Sequence, residues 1–388
     1  MEQSSQSKHD KTIAAPIMMP GSRADVVFVK GDGAVLFDDK GKEYIDCLAG
    51  IAVVSAGHAN KFIADKVYQQ MQTLVHVSNL FWNEPVAKLA EKIRSTCGFG
   101  QAFFGNSGAE AIECAIKLVR KWGKGRFKIL CAEGSFHGRT MGALAATGQP
   151  AKWQGFQPLP PGFVHLPFNN LEAFENAVDD ETVAILVEPI QGERGVLPAT
   201  KEFLAGLREL CTRKNLALIF DEIQSGVGRT GKWWAFQSYN VKPDVFTTAK
   251  ALANGFPIGV CMADEAFASA LVPGDHASTF GGGAAAAAAG LATFEFYEKE
   301  NLLEAAQKKG EYFTSLLSKL DYVKEVRGLG LMLGVVLKTE IAKEVAKKAL
   351  ENGLIVNAAL PDVLRIVPPL VITEAQMQKA VEILKLCA

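Results

Sequence analysis

The stretch LALIFDEIQ, residues 216–224, joins five apolar residues directly to two acids and an amide. Its apolar part is continuous rather than alternating, which is typical of a strand that is covered on both faces in a parallel sheet. Three further short apolar runs, at 127–131, 183–187 and 245–248, have the same character. We predict that all four runs are buried strands.

Segments with helical periodicity lie between these runs. Residues 109–122 place Ile112, Ala115, Ile116 and Val119 on one face, and residues 202–215 are patterned similarly. Strands that alternate with helices in this way are typical of an α/β fold. The middle of the chain is therefore predicted to be a doubly wound domain with a mainly parallel sheet.

The C-terminal third is organised differently. Helical stretches at 302–320 and 341–352 surround short strands near 331–337 and 363–367, which predicts a smaller α+β domain. The alternating segment 33–48 is predicted to be an antiparallel hairpin that joins this domain.

The resulting division has a large domain at 60–290 and a small domain that is built from both chain ends, 1–59 and 291–388. Residues 1 to about 20 are interpreted as an arm, and the alanine run 284–289 as the start of a helix, since alanine is the best helix former.

Composition excludes several classes of protein. The chain has 388 residues and a formal net charge of −1, which does not favour nucleic acid or an anionic membrane as a partner. No apolar run is long enough to span a bilayer, and we find no secretory signal. The seven cysteines are odd in number and include no C-x-x-C pair, so reduced thiols are expected, with no disulfides and no metal site. A cytoplasmic location is predicted.

Polar side chains follow each predicted central strand. Ligands of open α/β sheets bind beyond the carboxyl ends of the strands, so these side chains are expected to meet in one crevice. The candidates are Asp221 and Gln224, Lys250, His137 and Arg139, and Glu188, Gln191 and Glu193.

This set of side chains suits pyridoxal phosphate. The cofactor needs a lysine for its Schiff base and a carboxylate that keeps its ring nitrogen protonated, and Lys250 and Asp221 provide these groups. The turn 105–109 opens a predicted helix, whose free backbone N–H groups favour a phosphate. Phe136 is the candidate for stacking on the ring.

Each of these residues also has an ordinary structural explanation when it is taken alone, and two motifs point elsewhere. Residues 226–231 satisfy G-x-G-x-x-G, but a poor helix opening follows them, which argues against a dinucleotide site. The same stretch nearly matches a P-loop, yet Trp233 stands where Ser or Thr must hold Mg²⁺.

From about residue 30 to its end, the chain resembles the class III (ornithine-type) aminotransferases. Many ordered motifs carry the resemblance. They are AGIAV (49–53) with GH (57–58), SNLF (78–81), NEP (83–85), FGNSGAEA (104–111), SFHGRT (135–140), EPIQGE (188–193), DEIQ (221–224), GRTG (228–231), AK (249–250), STFGG (278–282) and RIVPPL (365–370). The resemblance implies fold type I of the pyridoxal-phosphate-dependent transferases.

The resemblance also implies a role for each matching residue. Lys250 would be the Schiff-base lysine that shuttles the proton, Asp221 the partner of the ring nitrogen, and Gln224 the partner of the ring hydroxyl. The phosphate would be bound by Ser107, Gly108, Ala109 and Thr279, and Phe136 would stack on the ring. The substrate would be bound by Arg139 and Arg365 at its carboxylates, by Glu193, which neutralises Arg365, and by Ser278.

The implied reaction moves the terminal amino group of N-acetylornithine to 2-oxoglutarate, giving N-acetylglutamate semialdehyde and glutamate, a step of arginine biosynthesis. Other donors stay open: succinylornithine, succinyldiaminopimelate, ornithine, lysine and 4-aminobutyrate, as does an aminomutase or another enzyme on the same scaffold. A binding module without catalytic activity is the competing class. The family also implies a homodimer in which the turn 278–282 reaches the neighbouring subunit's site, Thr279 to the cofactor phosphate and Ser278 toward the substrate.

Two positions depart from the family pattern. Gly283 and Ala284 stand where the family usually has Asn-Pro, and Asn254 stands where glycine is common. Both lie near the expected cofactor, so the loop geometry there is open.

Overall fold

The computed structural model describes residues 16–21 and 23–387. The arm that was predicted for residues 1 to about 20 therefore lies mostly outside the described residues.

A seven-stranded sheet forms the centre of the molecule. Strands 217–221 and 245–248 are neighbours and run parallel. On the other side of 217–221, the strands 182–187, 128–132 and 163–166 follow one another and are also parallel. One strand, Gly259–Ala263, runs antiparallel to both of its neighbours. In spatial order the strands are Gln101–Gly105, Gly259–Ala263, Val245–Thr248, Ala217–Asp221, Thr182–Val187, Lys128–Ala132 and Phe163–Leu166. The four predicted strands are confirmed to within one residue at either end.

Helices cover this sheet. In Gly108–Trp122, Ile112, Ala115, Ile116 and Val119 are all buried, which confirms the predicted apolar face. The chain's longer helices are Lys61–Thr73, Glu84–Cys97, Gly108–Trp122, Lys201–Lys214, Ala284–Lys299, Leu302–Leu317, Ala342–Glu351 and Glu374–Lys385; the shorter ones are Ala49–Ala52, Met141–Ala146, Leu171–Ala177, Phe236–Tyr239 and Glu265–Ala268.

The two ends of the chain share a second sheet. Strands Phe28–Asp32, Val35–Asp38 and Glu43–Asp46 form an antiparallel meander, and Leu354–Ile355 adds to it in parallel. The predicted hairpin at 33–48 is thus one strand short, because the strand Phe28–Asp32 is mostly exposed and its sequence does not alternate between apolar and polar residues. The division at residues 59/60 and 290/291 stays a prediction, which this pairing of the chain ends supports.

The C-terminal part also has its own antiparallel sheet, in the order Val323–Leu329, Met332–Leu337, Val363–Ile366 and Asn357–Leu360. Its two predicted strands are confirmed. A small two-stranded sheet joins Ile190–Gln191 to Leu197–Pro198. Among the helices of the described residues, none combines the length and the apolar character that crossing a bilayer requires.

Candidate active site

The site begins where two neighbouring central strands end. Asp221 is the last residue of its strand and lies opposite Thr247 of the next one. Lys250 follows that second strand by two residues and opens the 3-10 turn Lys250–Ala253. Because the two strands are parallel, their carboxyl ends bring the acid and the amine to the same edge of the sheet.

Hydrogen bonds fix the carboxylate of Asp221, which is buried. His137 Nδ1 lies 2.7 Å from its Oδ2, while the amide of Ile223 and the hydroxyl of Thr247 donate to its Oδ1 at 3.0 and 3.3 Å. A carboxylate only accepts, so His137 Nδ1 carries the proton of this bond. The sequence had marked His137 as a polar residue at a strand end, without a role. Its place in SFHGRT, beside Phe136, was the available signal.

Lys250 adopts a strained backbone. Its φ is +47°, in the left-handed region, where a residue other than glycine costs about 1 kcal/mol or more. Burial lowers the pKa of its amine, and Arg365 adds to this, while Glu193, Asp221 and Glu188 oppose it. The net lowering favours the neutral amine, which is the nucleophilic form.

The turn that carries Lys250 is tied to the N-terminal part of the chain by Asn254. Asn254 has a φ of +47°, which explains why glycine is common at this position and why asparagine is tolerated. Its side chain accepts from the amide of Ala56 at 2.8 Å and donates to the carbonyl of Gly57 at 3.1 Å. The departure from the family pattern therefore adds two hydrogen bonds. At the other departure, Gly283 precedes the helix Ala284–Lys299 without any side-chain cap.

An ion pair lies near Lys250 in the same crevice. Arg365, from the C-terminal sheet, is buried, and its Nη1 donates to Glu193 Oε1. Its guanidinium also donates to Asn357 Oδ1 at 2.9 Å and to Gln224 Oε1 at 3.4 Å. Burial raises the pKa of Glu193, but the charge and hydrogen bond of Arg365 outweigh it, so the pKa lies below its usual value. Glu193 is thus held as an anion against Arg365.

A second acid lies deeper. Glu188 is buried, and its Oε2 accepts a hydrogen bond from the amide of Phe136 at 3.1 Å. Burial raises its pKa well above the usual value, and the charge of nearby Asp221 adds to this. The sequence placed Glu188 at a strand end but predicted no function for it.

The predicted phosphate cradle is the start of the helix Gly108–Trp122. Ser107 is its N-cap and accepts from the amide of Glu110 at 3.2 Å, which leaves the first-turn amides of Gly108 and Ala109 without intrahelical partners. The loop with Phe136 packs against this turn at Gly138. Gly138 has a φ of +142°, and a Cβ there would lie 2.9 Å from the Cβ of Ala109, so only glycine permits the approach.

These residues fit pyridoxal phosphate. The crevice offers an amine with a lowered pKa, a buried carboxylate oriented by three hydrogen bonds, helix N-terminal amides and the half-buried ring of Phe136. They are the four kinds of group that the cofactor needs.

Three predicted site residues lie at the edge of this cluster or turn away from it. Arg139 is exposed, with its Cζ 5.7 Å from the centre of the Phe136 ring. Ser278 Oγ accepts from Asn106 Nδ2 at 3.0 Å, beside the cradle. Thr279 is exposed, next to Phe280, whose side chain is 69% exposed. Within the described chain, this turn therefore presents Thr279 outward.

A family match covers nearly the whole chain. The family described as Aminotransferase class-III matches residues 18–388. The chain is 47% identical over 372 residues to the acetylornithine aminotransferase of Caldanaerobacter subterraneus subsp. tengcongensis, and the alignment covers 94% of each protein.

Solved structures share the fold. An ornithine aminotransferase from Toxoplasma gondii, described with PLP at its active site, has a TM-score of 0.92 and 31% identity, covering 96% of this chain and 91% of that one. The acetylornithine aminotransferase from Elizabethkingia anophelis has a TM-score of 0.84 and 32% identity, covering 95% of both chains.

Glu222, next to Asp221, is a buried carboxyl whose raised pKa can be tested by its effect on stability. It is buried and accepts hydrogen bonds from Ser225 Oγ and from the amides of Ala235 and Phe236, at 2.7, 3.0 and 2.8 Å. Burial nevertheless raises its pKa from 4.5 to about 7. The folded chain therefore binds a proton that the unfolded chain releases between these values.

We predict that Glu222→Gln, which imitates the protonated form, becomes more stable relative to the parent protein as the pH rises. Protonation of Glu222 stabilises the folded parent protein. This contribution to the free energy of unfolding is fully present below pH 4.5 and is lost as the pH rises through about 7. The difference in free energy of unfolding should change by up to about 1.4 kcal/mol per pH unit between these values. Urea unfolding from pH 5 to 8 measures it, with the exposed Glu209→Gln as control. A difference that does not vary with pH would contradict the raised pKa.

Proposed function

The chain belongs to the class-III aminotransferases, and we propose that it transfers the terminal amino group of N-acetylornithine to 2-oxoglutarate. The products are N-acetylglutamate semialdehyde and glutamate, which makes the reaction a step of arginine biosynthesis. Pyridoxal phosphate is the cofactor, as in the PLP-containing relative of this fold. The curated relatives that act on acetylornithine support the choice of donor.

The observation that carries this proposal is the Arg365–Glu193 ion pair in the crevice that holds Lys250. A transaminase uses one site for two substrates of different charge. N-acetylornithine presents one carboxylate, at the end away from its reacting amine, whereas 2-oxoglutarate presents a second one beside the reacting carbon. A neutralised arginine suits the first substrate, and a released arginine suits the second because its planar fork binds a carboxylate through two hydrogen bonds.

Each residue then has a defined task. Pyridoxal phosphate, when bound, supplies an electron sink that lets a proton leave the carbon next to the transferred nitrogen. Lys250 would hold the cofactor and move that proton at its Nζ. Asp221, oriented by His137, would keep the ring nitrogen protonated, and Gln224 would contact the ring hydroxyl. The amides of Gly108 and Ala109, with Ser107, would bind the phosphate, while Phe136 would cover the ring.

The substrate is oriented by the arginines. Arg139 would bind the α-carboxylate of N-acetylornithine and the distal carboxylate of 2-oxoglutarate. Arg365 would bind the α-carboxylate of 2-oxoglutarate once Glu193 has left it. In this way one crevice would position both reacting carbons at Lys250.

The donor is tested with a panel at saturating 2-oxoglutarate. We expect the highest kcat/KM with N-acetylornithine, compared with N-succinylornithine, N-succinyldiaminopimelate, ornithine, lysine and 4-aminobutyrate. Lys250→Ala should remove the visible absorption of the lysine-bound cofactor and abolish turnover, because the strand Val245–Thr248 and the turn Lys250–Ala253 contain no other lysine. A higher kcat/KM for another donor would replace N-acetylornithine. Retained turnover by Lys250→Ala would refute its role.

The ion pair leads to a second prediction. Arg365→Ala should slow the single-turnover reaction with glutamate by about 100-fold or more, since a carboxylate loses a charged bidentate partner. The reaction with N-acetylornithine should change much less, because Arg365 is neutralised there. Stopped-flow absorbance of the cofactor follows both reactions. Equal losses in the two reactions would argue against the switch.

We further propose a homodimer whose turn 278–282 completes the neighbouring subunit's site. Three adjacent side chains, Leu80, Phe81 and Trp82, are 81%, 70% and 94% exposed. The side chains of Asn79 and Asn83, on either side of them, donate to the carbonyls of Gly281 and Gly282. The exposed Phe280 and Thr279 therefore adjoin this apolar surface, and a large exposed apolar surface of this kind is typical of an interface.

A cytoplasmic location is proposed as well, which the seven free cysteines support.

Subunit complementation tests the dimer. Mixing inactive Lys250→Ala chains with crippled Thr279→Ala chains should give hybrid dimers with up to about half of the parent dimer's activity, since each hybrid has one intact site of two. Activity per hybrid dimer, isolated by two affinity tags, is the measurement. Failure of exchanged hybrids to regain activity, when Thr279→Ala alone is crippled, would place the turn in its own chain's site.

A further inference from the structure

Lys152 is a cation at the mouth of the crevice that no task described so far uses. It ends the 3-10 turn Pro150–Lys152 and is half-buried. Its Nζ lies 5.6 Å from the centre of the Phe136 ring. No carboxylate of the described residues lies within ion-pair distance of it, so its charge is available to a group that arrives there.

The turn that carries Lys152 is rigidly held. On one side, the side chain of Gln149 donates to the carbonyls of Gly134 and Ser135 at 3.2 and 3.1 Å. On the other, the indole of Trp153 donates to the carbonyls of Leu144 and Thr147 at 3.1 and 2.9 Å. These bonds anchor the turn to the loop that precedes Phe136 and to the end of the helix Met141–Ala146, so the backbone of Lys152 is held beside Phe136.

Lys152 also acts on Glu193. Arg365 is the strongest of the cations that lower the pKa of the Glu193 carboxyl, and Lys250 and Lys152 follow it. The side chain of Glu193 is 27% exposed, whereas that of Arg365 is 2% exposed. When the pair separates, the carboxylate is therefore the partner with room to move, while the guanidinium stays with Asn357 and Gln224.

Separation of this pair leaves a carboxylate to be accommodated. A half-buried anion without a counter-charge is destabilising, and this cost opposes the release of Arg365. In the proposed function, Arg365 and Arg139 are then bound to the two carboxylates of the substrate, and Lys250 is engaged with the cofactor and the reacting carbon. Lys152 is the remaining one of the three cations that act on Glu193.

We propose that Lys152 receives the Glu193 carboxylate when Arg365 binds the α-carboxylate of 2-oxoglutarate or glutamate. Lys152 is thus a positioning residue that acts through Glu193 and sets the preference for a dicarboxylate substrate. The inference rests on the proposed function, because it requires a site that alternates between two substrates. It adds the resting place of the displaced acid.

The test is a double-mutant cycle on single-turnover reactions, with the holoenzyme and with glutamate and N-acetylornithine as separate substrates. The variants are Lys152→Gln, Lys152→Arg, Glu193→Gln and the double variant Lys152→Gln/Glu193→Gln. Lys319→Gln is the matched control, because Lys319 is an exposed lysine just after the helix Leu302–Leu317. Cofactor absorbance and elution volume establish that each variant is folded and loaded.

Lys152→Gln should slow the glutamate reaction by about fivefold to tenfold, the range for a partly exposed charge pair, and change the N-acetylornithine reaction by less than about twofold. Lys152→Arg should restore the glutamate reaction to within about twofold, because it keeps the charge. In the Glu193→Gln background, removing Lys152 should have an effect below about twofold, because no carboxylate has to be received.

Three results would overturn the inference. They are an equal loss in both reactions, no loss in either, or a glutamate defect of the same size in the Glu193→Gln background, which would mean that Lys152 binds the substrate itself. If the parent enzyme failed to react with glutamate, the proposed function would fall and the inference with it. If the parent reacts and Lys152→Gln lacks the asymmetry, the inference alone is wrong.

Discussion

The parallel pairing of two buried strands, Ala217–Asp221 and Val245–Thr248, is the constraint on which the site depends. Both strands are buried along their whole length, so burial of apolar surface on both faces of the sheet holds them in place. Parallel strands bring their carboxyl ends to one edge, and Asp221 and Lys250 meet there for that reason. Any disturbance of this pairing would move the acid and the amine relative to each other.

The second requirement is a set of buried charges that are individually unfavourable. Burial raises the pKa of Glu188 and Glu222 and lowers that of Lys250, while Arg365 and Glu193 compensate each other as an ion pair. Such groups are destabilising unless hydrogen bonds and partners surround them. The site satisfies this through His137 at Asp221, the amide of Phe136 at Glu188, and the amides of Ala235 and Phe236 at Glu222.

Contacts between distant segments provide the specificity. Arg365 comes from the C-terminal antiparallel sheet, Glu193 and Gln224 come from loops after two central strands, and their side chains meet at one guanidinium. Asn254 ties the Lys250 turn to the N-terminal segment at Ala56 and Gly57. The crevice is therefore formed by the central sheet together with segments from both ends of the chain.

Local pattern in the sequence was sufficient for the central strands, for the apolar face of the helix Gly108–Trp122 and for the polar residues after each strand. These features depend on the periodicity of side chains along short segments, and that periodicity is visible without tertiary contacts. The first strand of the N-terminal meander, Phe28–Asp32, was missed because it is mostly exposed and carries little apolar signal. The motifs of the class III family indicated Lys250, Asp221 and the pairing of Glu193 with Arg365, but gave no distances or hydrogen bonds among them. Tertiary structure alone decided that His137 orients Asp221, that Glu188 holds the Phe136 amide, that Asn254 bridges to the N-terminal segment and that Lys152 stands beside the same ring as Arg139. These relations depend on distances between segments that are far apart in the chain, and on the burial that those distances create, neither of which is encoded in any local pattern.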